Sequence, residues 1–146
     1  MRKAVRAIVF RDNNLLVIKR NKFGTQYYTL PGGAISMGES PDQALLREMA
    51  EETGIQLGDV RLVFVEDSGT MYGMQYIYLA NYVGGEPHLN PASDEANISA
   101  LGKNTYEPVW LPISELPAVS FVTGRLKDAI IHAIQSGFPA QPVSIS

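Results

Sequence analysis

The stretch from Arg47 to Gly54, "REMAEETG", brings together three carboxylates, Glu48, Glu51 and Glu52. On a helix, with 100° per residue, they fall on one face within about 100° of one another. Like charges at this spacing repel by roughly 0.2–0.5 kcal/mol per pair, and Arg47 is the only base in the stretch. A solvated acidic face explains most such runs, but a divalent cation with a preference for hard oxygen ligands, such as Mg²⁺, would also relieve the repulsion.

The segment around these acids carries clear helix boundaries. Ser40 and Pro41 supply an N-cap serine and a proline at the first helical position, and Gln43 completes a capping box. Gly54 supplies the C-terminal stop. Between them, the apolar residues Leu45, Leu46, Met49 and Ala50 lie on the side opposite the acids. The pattern predicts an amphipathic helix over residues 41–53 whose polar face is acidic.

The rest of the chain predicts strands and one further helix. The β-rich runs "VRAIVF" and "LLVIKR" flank the turn "RDNN", and "QYYTL", "VRLVFVED", "QYIYLANYV" and "PVWLP" follow. Helical spacing returns over residues 121–136 and a flexible polar tail is expected over 138–146. The stretch 84–105, rich in Gly, Pro, Asn and Ser, is predicted as a long loop, and such loops are often functional. A mixed sheet covered by helices is therefore expected.

Length and composition limit the class of protein. The 146 residues predict one domain, 1–146, with a net charge of −3 and scattered basic residues. This distribution argues against a long nucleic acid or a membrane surface as the partner. Because the chain has no cysteine and no long apolar run, disulfides and thiolate metal sites are excluded, and a cytoplasmic location is expected.

The segment "GGAISMGESPDQALLREMAEETGI" resembles the Nudix box, G-x5-E-x7-R-E-U-x-E-E-x-G-U, in which U is apolar. Every fixed position matches: Gly33, Glu39, Arg47, Glu48, Met49, Glu51, Glu52, Gly54 and Ile55. The flanking segments "YYTLPGG" and "VWLPISELP" also resemble this family, so the similarity spans most of the chain. The resemblance implies an α/β/α sandwich in which a mixed β-sheet is flanked by helices.

The resemblance also implies an activity. Nudix enzymes hydrolyse a phosphoanhydride in a nucleoside diphosphate derivative or nucleoside triphosphate, which gives a nucleoside monophosphate and a phosphorylated product. The implied cofactor is Mg²⁺, with Mn²⁺ as an alternative. Its main expected ligands are Glu51 and Glu52, with Glu48 as a ligand or the general base and the Gly32 carbonyl as a further ligand. Arg47 is expected to orient the glutamates. Charge neutralisation and in-line positioning are what phosphoryl transfer requires.

Candidate substrate contacts lie outside the box. Arg20 ends the "VIKR" run and resembles the family's phosphate-binding arginine, and Lys22 follows it. Tyr28 and Tyr72 offer rings on which a base could stack. An exposed strand end would equally explain Arg20, and tyrosines in strands are more often core or rim residues.

The general base has several candidates. Glu48 is the first choice because it shares a helix face with Glu51 and Glu52. Asp94 and Glu95 in the long loop and Glu107 before "VW" are rivals, and a mechanism without a protein base stays open. Glu39 ends the segment 32–39, which begins with Gly32 and Gly33 and is called the glycine loop below. Its side chain is either a partner of the site or a hydrogen-bond anchor for this loop.

Three classes of function follow from these observations. The favoured one is a Mg²⁺-dependent pyrophosphohydrolase, because every acid of the box is present. The alternatives are a non-catalytic nucleotide-sensing module on the same fold and a small interaction domain whose acidic helix contacts a basic partner. The nucleotide, the number of metal ions and the choice between monomer and homodimer are left open by the sequence.

Overall fold

The structure is a computed structural model that describes residues 2–146. Eight strands form one mixed sheet in the order β3-β2-β1-β6-β5-β8, with β4 paired to β1 and β7 paired to β2. The strands are β1 (Lys3–Arg11), β2 (Asn14–Lys22), β3 (Thr25–Thr29), β4 (Gly32–Ala34), β5 (Gln56–Asp67), β6 (Met74–Gly84), β7 (Asn104–Pro112) and β8 (Val143–Ile145). β1 runs parallel to β6 and β5 parallel to β8, whereas the other pairs are antiparallel.

Helices lie on both faces of this sheet. They are α1 (Pro41–Glu52), α2 (Gly69–Tyr72), α3 (Asp94–Ser99) and α4 (Gly124–Ser136), and a 3₁₀ turn spans Ile113–Ala118. One buried cluster joins α1 to alternate residues of β1, among them Val5, Ala7 and Val9. A second cluster joins α4 to the opposite face, where Ile8 lies. The period-2 alternation of β1 thus feeds two cores, and the predicted helix-flanked mixed sheet is confirmed.

The strands separate where the site forms. β1 pairs with β2 only beside their turn, at Phe10–Leu15 and Arg11–Asn14. At its other end β1 pairs with β4, so that Arg6 lies opposite Gly32. The glycine loop therefore enters the sheet beside the first residues of β1, and a pocket opens there.

The helix α1 begins at Pro41, as predicted, and ends at Glu52, one residue before the predicted end, because Thr53 is its C-cap. The Ser40 side chain accepts a hydrogen bond from the Gln43 amide, and the Gln43 side chain accepts one from the Ser40 amide. Gly54 has a φ of +68°, and its amide donates to the Met49 carbonyl. This left-handed position is the reason for the glycine, since a side chain here would be strained.

Three segments differ from the sequence-based expectations. The predicted loop 84–105 contains α3, because the Ser93 hydroxyl caps the Ala96 amide and starts a helical turn. The predicted flexible tail 138–146 contains β8, which pairs with the edge of β5. The C-terminal helix begins at Gly124 rather than 121, because Thr123 is its N-cap. Among the described residues, no helix is long and apolar enough to cross a membrane.

Candidate active site

A pocket of about 420 Å³ opens where β1 leaves β2. Its wall on the helix side consists of the glycine loop and two acids of α1: Gly32, Gly33, Glu48 and Glu52. Residues from β1, β2, β3, β6, β7 and α3 form much of the remaining lining. The pocket therefore brings the acidic helix face next to groups that are far away in the sequence.

Two of the three acids face this pocket. Glu48 and Glu52 are one helical turn apart and only 7 % and 4 % exposed. They are held there because Ala44, Leu45 and Met49 bury the neighbouring side of α1 against the sheet. Glu51 is not among the residues that line the pocket, and its carboxylate contacts Arg47 at 3.5 Å.

Within residues 2–146, Glu52 forms no direct ion pair, and Glu48 pairs only with Arg47. Glu52 accepts a hydrogen bond from the Gly32 amide at 3.0 Å. Burial raises the pKa of Glu52 to about 7, although the charge of Arg6 and the Gly32 hydrogen bond oppose the shift. Burial also raises the pKa of Glu48, against the hydrogen bond from Arg47. Such raised carboxylate pKa values are typical of functional sites.

Arg47 organises the acids from outside the pocket. Its guanidinium donates to Glu39 at 2.6 and 2.9 Å, to Glu48 at 3.0 Å and to the Ala34 carbonyl at 3.1 Å. These contacts raise the pKa of Arg47, mainly through Glu39. Glu39 also accepts from the Ser36 amide, so it anchors the glycine loop to α1. Arg47 therefore contacts Glu48 and Glu51, two of the acids that it was predicted to orient, and the orienting role stays a prediction.

The two glycines let the loop backbone reach the acids. A β-carbon on Gly33 would lie 2.5 Å from the Glu48 carboxylate, and one on Gly32 would lie 1.9 Å from the Val5 carbonyl oxygen. Gly32 also has a φ of +144°. Any side chain here would push the loop away from the carboxylates, so the close approach requires glycine.

The predicted substrate residues are divided by the fold. Arg20, Lys22 and Tyr72 line the pocket, whereas Tyr28 does not and packs against the core under α4. Alternation along β3 explains this difference, because it brings Tyr27 to the pocket instead. Tyr27 and Tyr28 are adjacent in the sequence, and nothing in it fixed the strand register that decides which of the two rings lines the pocket.

Arg20 is held tightly in a polar and aromatic cage. Its guanidinium lies over the Tyr106 ring, 3.7 Å from the centroid, and over the Tyr27 ring at 5.6 Å. It also donates to the Thr105 carbonyl at 3.2 Å and to Asn104. Such stacking fixes the plane of the guanidinium.

Among the candidate bases outside the helix, only Glu95 reaches the pocket. Its charge adds to burial in raising the pKa values of Glu48 and Glu52. The loop before α3 is tied to the end of α1, since the amides of His88 and Asn90 donate to the carbonyls of Thr53 and Glu51. Asp94 and Glu107 are exposed and do not line the pocket.

Sequence analysis missed several pocket residues, among them Arg6, Gln75, Tyr106 and Asn104. The only available signal was Arg6 itself, a charged residue within the apolar run "VRAIVF". An isolated charge in a strand that is otherwise buried needs a partner or a function. The others lie on β6 and β7 and could be found only through strand pairing.

The donors at the helix wall fit a divalent cation. Within residues 2–146, no three acidic or histidine side chains already converge on one metal position. However, the set consists of hard oxygens, and the carboxylates of Glu48 and Glu52 are buried beside the loop backbone with their negative charges incompletely compensated. Glu51, which is only partly buried, is bound only by its 3.5 Å contact with Arg47.

Comparison with known proteins gives a consistent result. A family model described as "NUDIX domain" matches residues 1–130. A relative from Mycobacterium tuberculosis, named "Putative mutator protein MutT4", is 32 % identical, and the match covers 86 % of this chain and 50 % of the relative. The "NAD-capped RNA hydrolase NudC" of Photobacterium profundum is 28 % identical, with 77 % of this chain and 38 % of that protein covered. The chain thus spans half or less of the length of these relatives.

Among solved structures, an ADP-ribose pyrophosphatase from Streptococcus suis superposes with a TM-score of 0.69. The superposition covers 98 % of this chain and 96 % of that chain, at 18 % sequence identity. At this identity the likeness shows the fold alone, and it agrees with the α/β/α sandwich predicted from the sequence.

Proposed function

Since this chain belongs to the Nudix family, we propose that it is a Mg²⁺-dependent pyrophosphohydrolase. It cleaves the phosphoanhydride of a nucleoside diphosphate derivative or nucleoside triphosphate and releases a nucleoside monophosphate and a phosphorylated product. The observation that carries this proposal is the pocket itself, where Glu48 and Glu52 and the glycine loop face Arg6 and Arg20. Acids that bind cations and arginines that bind anions thus line the same pocket.

The metal would be held by the carboxylates of Glu48, Glu51 and Glu52 and the carbonyl of Gly32. When bound, Mg²⁺ or Mn²⁺ neutralises charge on the non-bridging phosphate oxygens. Glu51 has to turn from Arg47 towards the pocket to take part. The long contact of 3.5 Å and the partial exposure of Glu51 make this rotation inexpensive.

The chain's own residues carry out the remaining steps. Glu48 accepts a proton from the attacking water, whose oxygen forms a bond to phosphorus while the anhydride P–O bond breaks. Arg47 holds Glu48 in place through its 3.0 Å hydrogen bond. Arg20 and Lys22 hold the phosphate chain, and Tyr27 and Tyr72 flank the nucleoside. Glu95 is the alternative base, because it lines the same pocket.

Further parts of the proposal concern the whole chain. We propose that residues 1–146 form one Nudix domain, that the protein is cytoplasmic and that its substrate is a small nucleotide, not a long nucleic acid. The scattered basic residues and net charge of −3 support a small substrate. A homodimer remains an alternative to the monomer, and size-exclusion chromatography with light scattering distinguishes the two.

The experiment is a substrate panel in ¹⁸O-labelled water with MgCl₂ or MnCl₂. The panel contains dGTP, ADP-ribose, NAD⁺, UDP-glucose and diadenosine tetraphosphate. We expect at least one compound to yield a nucleoside monophosphate, with ¹⁸O found on a phosphate. Label on a sugar carbon would contradict phosphoryl transfer. Binding without turnover of any compound would favour the nucleotide-sensing alternative.

A further inference from the structure

Arg6 is an unusual residue for its position in the sheet. It shares a face of β1 with Ile8 and Phe10, which pack in the core under α4. Arg6 is the next residue on this face and lies on the pocket wall, opposite Gly32 in the β1–β4 pairing. A guanidinium is costly to remove from water unless it is paired, so its partners decide what it does.

Only part of the Arg6 guanidinium has hydrogen-bond acceptors in the protein. Nε donates to the Gln75 side chain at 3.0 Å, and Nη1 donates to the Leu30 carbonyl at 3.2 Å. Both acceptors are neutral. Within residues 2–146, Arg6 takes part in none of the ion pairs, and its Nη2 makes no hydrogen bond. Nε and Nη1 of the planar guanidinium are therefore held by hydrogen bonds, whereas Nη2 is free.

These two hydrogen bonds give Nη2 a defined direction. Gln75 is itself only 6 % exposed, and its amide donates to the Tyr72 carbonyl at 2.6 Å. The Leu30 carbonyl directly precedes the glycine loop. Arg6 is thus attached to both the loop and the β6 wall, and its side-chain entropy has already been lost. A pre-organised guanidinium of this kind binds carboxylates and phosphates well.

A purely structural role explains only half of these contacts. Bridging Gln75 and Leu30 needs two donors, and a neutral side chain would avoid the cost of a charge. The charge of Arg6 also opposes the raised pKa of Glu52, but the two side chains form no direct ion pair. Nη2 is therefore still without an acceptor, and an anion that enters the pocket would supply one. In contrast, Arg11 on the same strand is already paired with Glu86 and stacked on Trp110, and it does not line the pocket.

We propose that Arg6 is a substrate-binding residue whose Nη2 donates to an anionic phosphate oxygen of the bound diphosphate. The identity of this anion rests on the proposed function. Arg6 then holds the diphosphate from the β1 side while the box glutamates hold it from the α1 side. Substrates with two adjacent phosphates should consequently be preferred to monophosphates.

The test measures the binding of imidodiphosphate, a pyrophosphate analogue with NH in the bridging position, by calorimetry in excess Mg²⁺. We expect R6M to weaken binding by about 10- to 100-fold, as for the loss of a charge-assisted hydrogen bond. R6K should recover only part of the affinity, because its point charge lacks the planar fork. The control R11M, on the same strand but outside the pocket, should bind as the wild type does.

Wild-type affinity in R6M, or no binding to the wild type, would overturn the inference. If R6M does not fold, the wild-type protein answers the same question by NMR, where imidodiphosphate should shift the Arg6 Nε–H resonance and leave that of Arg11 in place. Unshifted Arg6 would overturn the inference. The turnover panel separates the two proposals. If the wild type turns over a substrate and R6M binds imidodiphosphate normally, only the role of Arg6 is rejected. If R6M binds imidodiphosphate weakly and the wild type turns over no compound, only the hydrolase activity is rejected.

Discussion

The two walls of the pocket are built in different ways. On the α1 side, the residues that matter lie within twenty positions of one another, from the Gly32–Gly33 loop to Glu52. The other wall combines Arg6 and Arg20, from the consecutive strands β1 and β2, with Tyr106 from β7, which is far along the chain. The first wall is a local motif, and the second exists only after the sheet has formed.

This difference separates two tasks. The local wall has one helix, one arginine and one glycine loop, and its carboxylates are buried and incompletely compensated. It is suited to the common chemistry of the family. The assembled wall carries arginines, tyrosines and amides whose arrangement depends on strand register, so it is suited to distinguishing one substrate from another.

The strongest way to test the local wall is to remove its most buried acid. E52Q should reduce Mg²⁺-supported turnover by about 10³-fold or more, because charge neutralisation supplied through this wall contributes several kcal/mol. E51Q should have a similar effect if Glu51 turns into the pocket. Steady-state kinetics on the best compound of the panel measures both, with E107Q as the exposed control.

Without metal, E52Q should increase stability, although it should reduce turnover with Mg²⁺. Burial raises the pKa of Glu52 to about 7, so the folded state binds the proton more tightly than the unfolded state does. Wild-type stability therefore falls as the pH rises from about 4.5 through 7. In EDTA at pH 8, E52Q should melt at a higher temperature than the wild type. In the turnover assay of the same variant, near-normal activity of E52Q with Mg²⁺ would contradict the proposed role of Glu52 in holding the metal.

Substitutions of the candidate general bases test whether catalytic residues come from one wall of the pocket or from both. E48Q should lower kcat by about 10²–10⁴-fold and remove the acidic limb of the pH profile at saturating Mg²⁺. E95Q should have a smaller effect and keep that limb. D94N and E107Q are matched controls, because both side chains are acidic, nearby in sequence and outside the pocket.

The reverse result would move the base to the assembled wall. If E95Q loses the limb and E48Q keeps it, then α3 supplies the base from a segment that the sequence predicted as a loop. Loss of the limb in E107Q would mean that the pocket rearranges on binding substrate, because Glu107 is exposed on β7.

The contrast between the walls also explains what the sequence could predict. The capping box and the nine matched positions of the box lie within one continuous segment, so they predicted α1, its ends and the neighbouring acids. The predicted apolar side of α1 was wrong at Leu46 and Ala50, which are exposed. Arg47 also lies where the segment places it, within hydrogen-bond distance of Glu39 and Glu48. Local spacing was sufficient for the helix and for these contacts.

Contacts that depend on register were not accessible in the same way. Whether Tyr27 or Tyr28 faces the pocket depends on a shift of one residue in β3. The approach of Gln75 to Arg6 depends on the parallel pairing of β1 with β6, across 69 positions. The sequence signals for α3 and β8 were short, and β8 became a strand only by pairing with the distant strand β5.

The smallest expected effect concerns Glu39, which joins the glycine loop to the local wall. Hydrogen bonds from Arg47 and from the Ser36 amide lower the pKa of Glu39 to about 2. A carboxylate with a lowered pKa stabilises the fold above its unfolded pKa of about 4.5, and this contribution disappears as the pH falls through about 2. The stability difference between wild type and E39Q should therefore be present at pH 7, shrink between pH 4.5 and 2, and be measurable by urea unfolding. E115Q, an exposed acid outside these contacts, serves as the control. If the stability difference between wild type and E39Q does not change with pH, Glu39 acts by packing. If the difference depends on pH and E39Q also has reduced turnover, the ion pair with Arg47 keeps the glycine loop against α1.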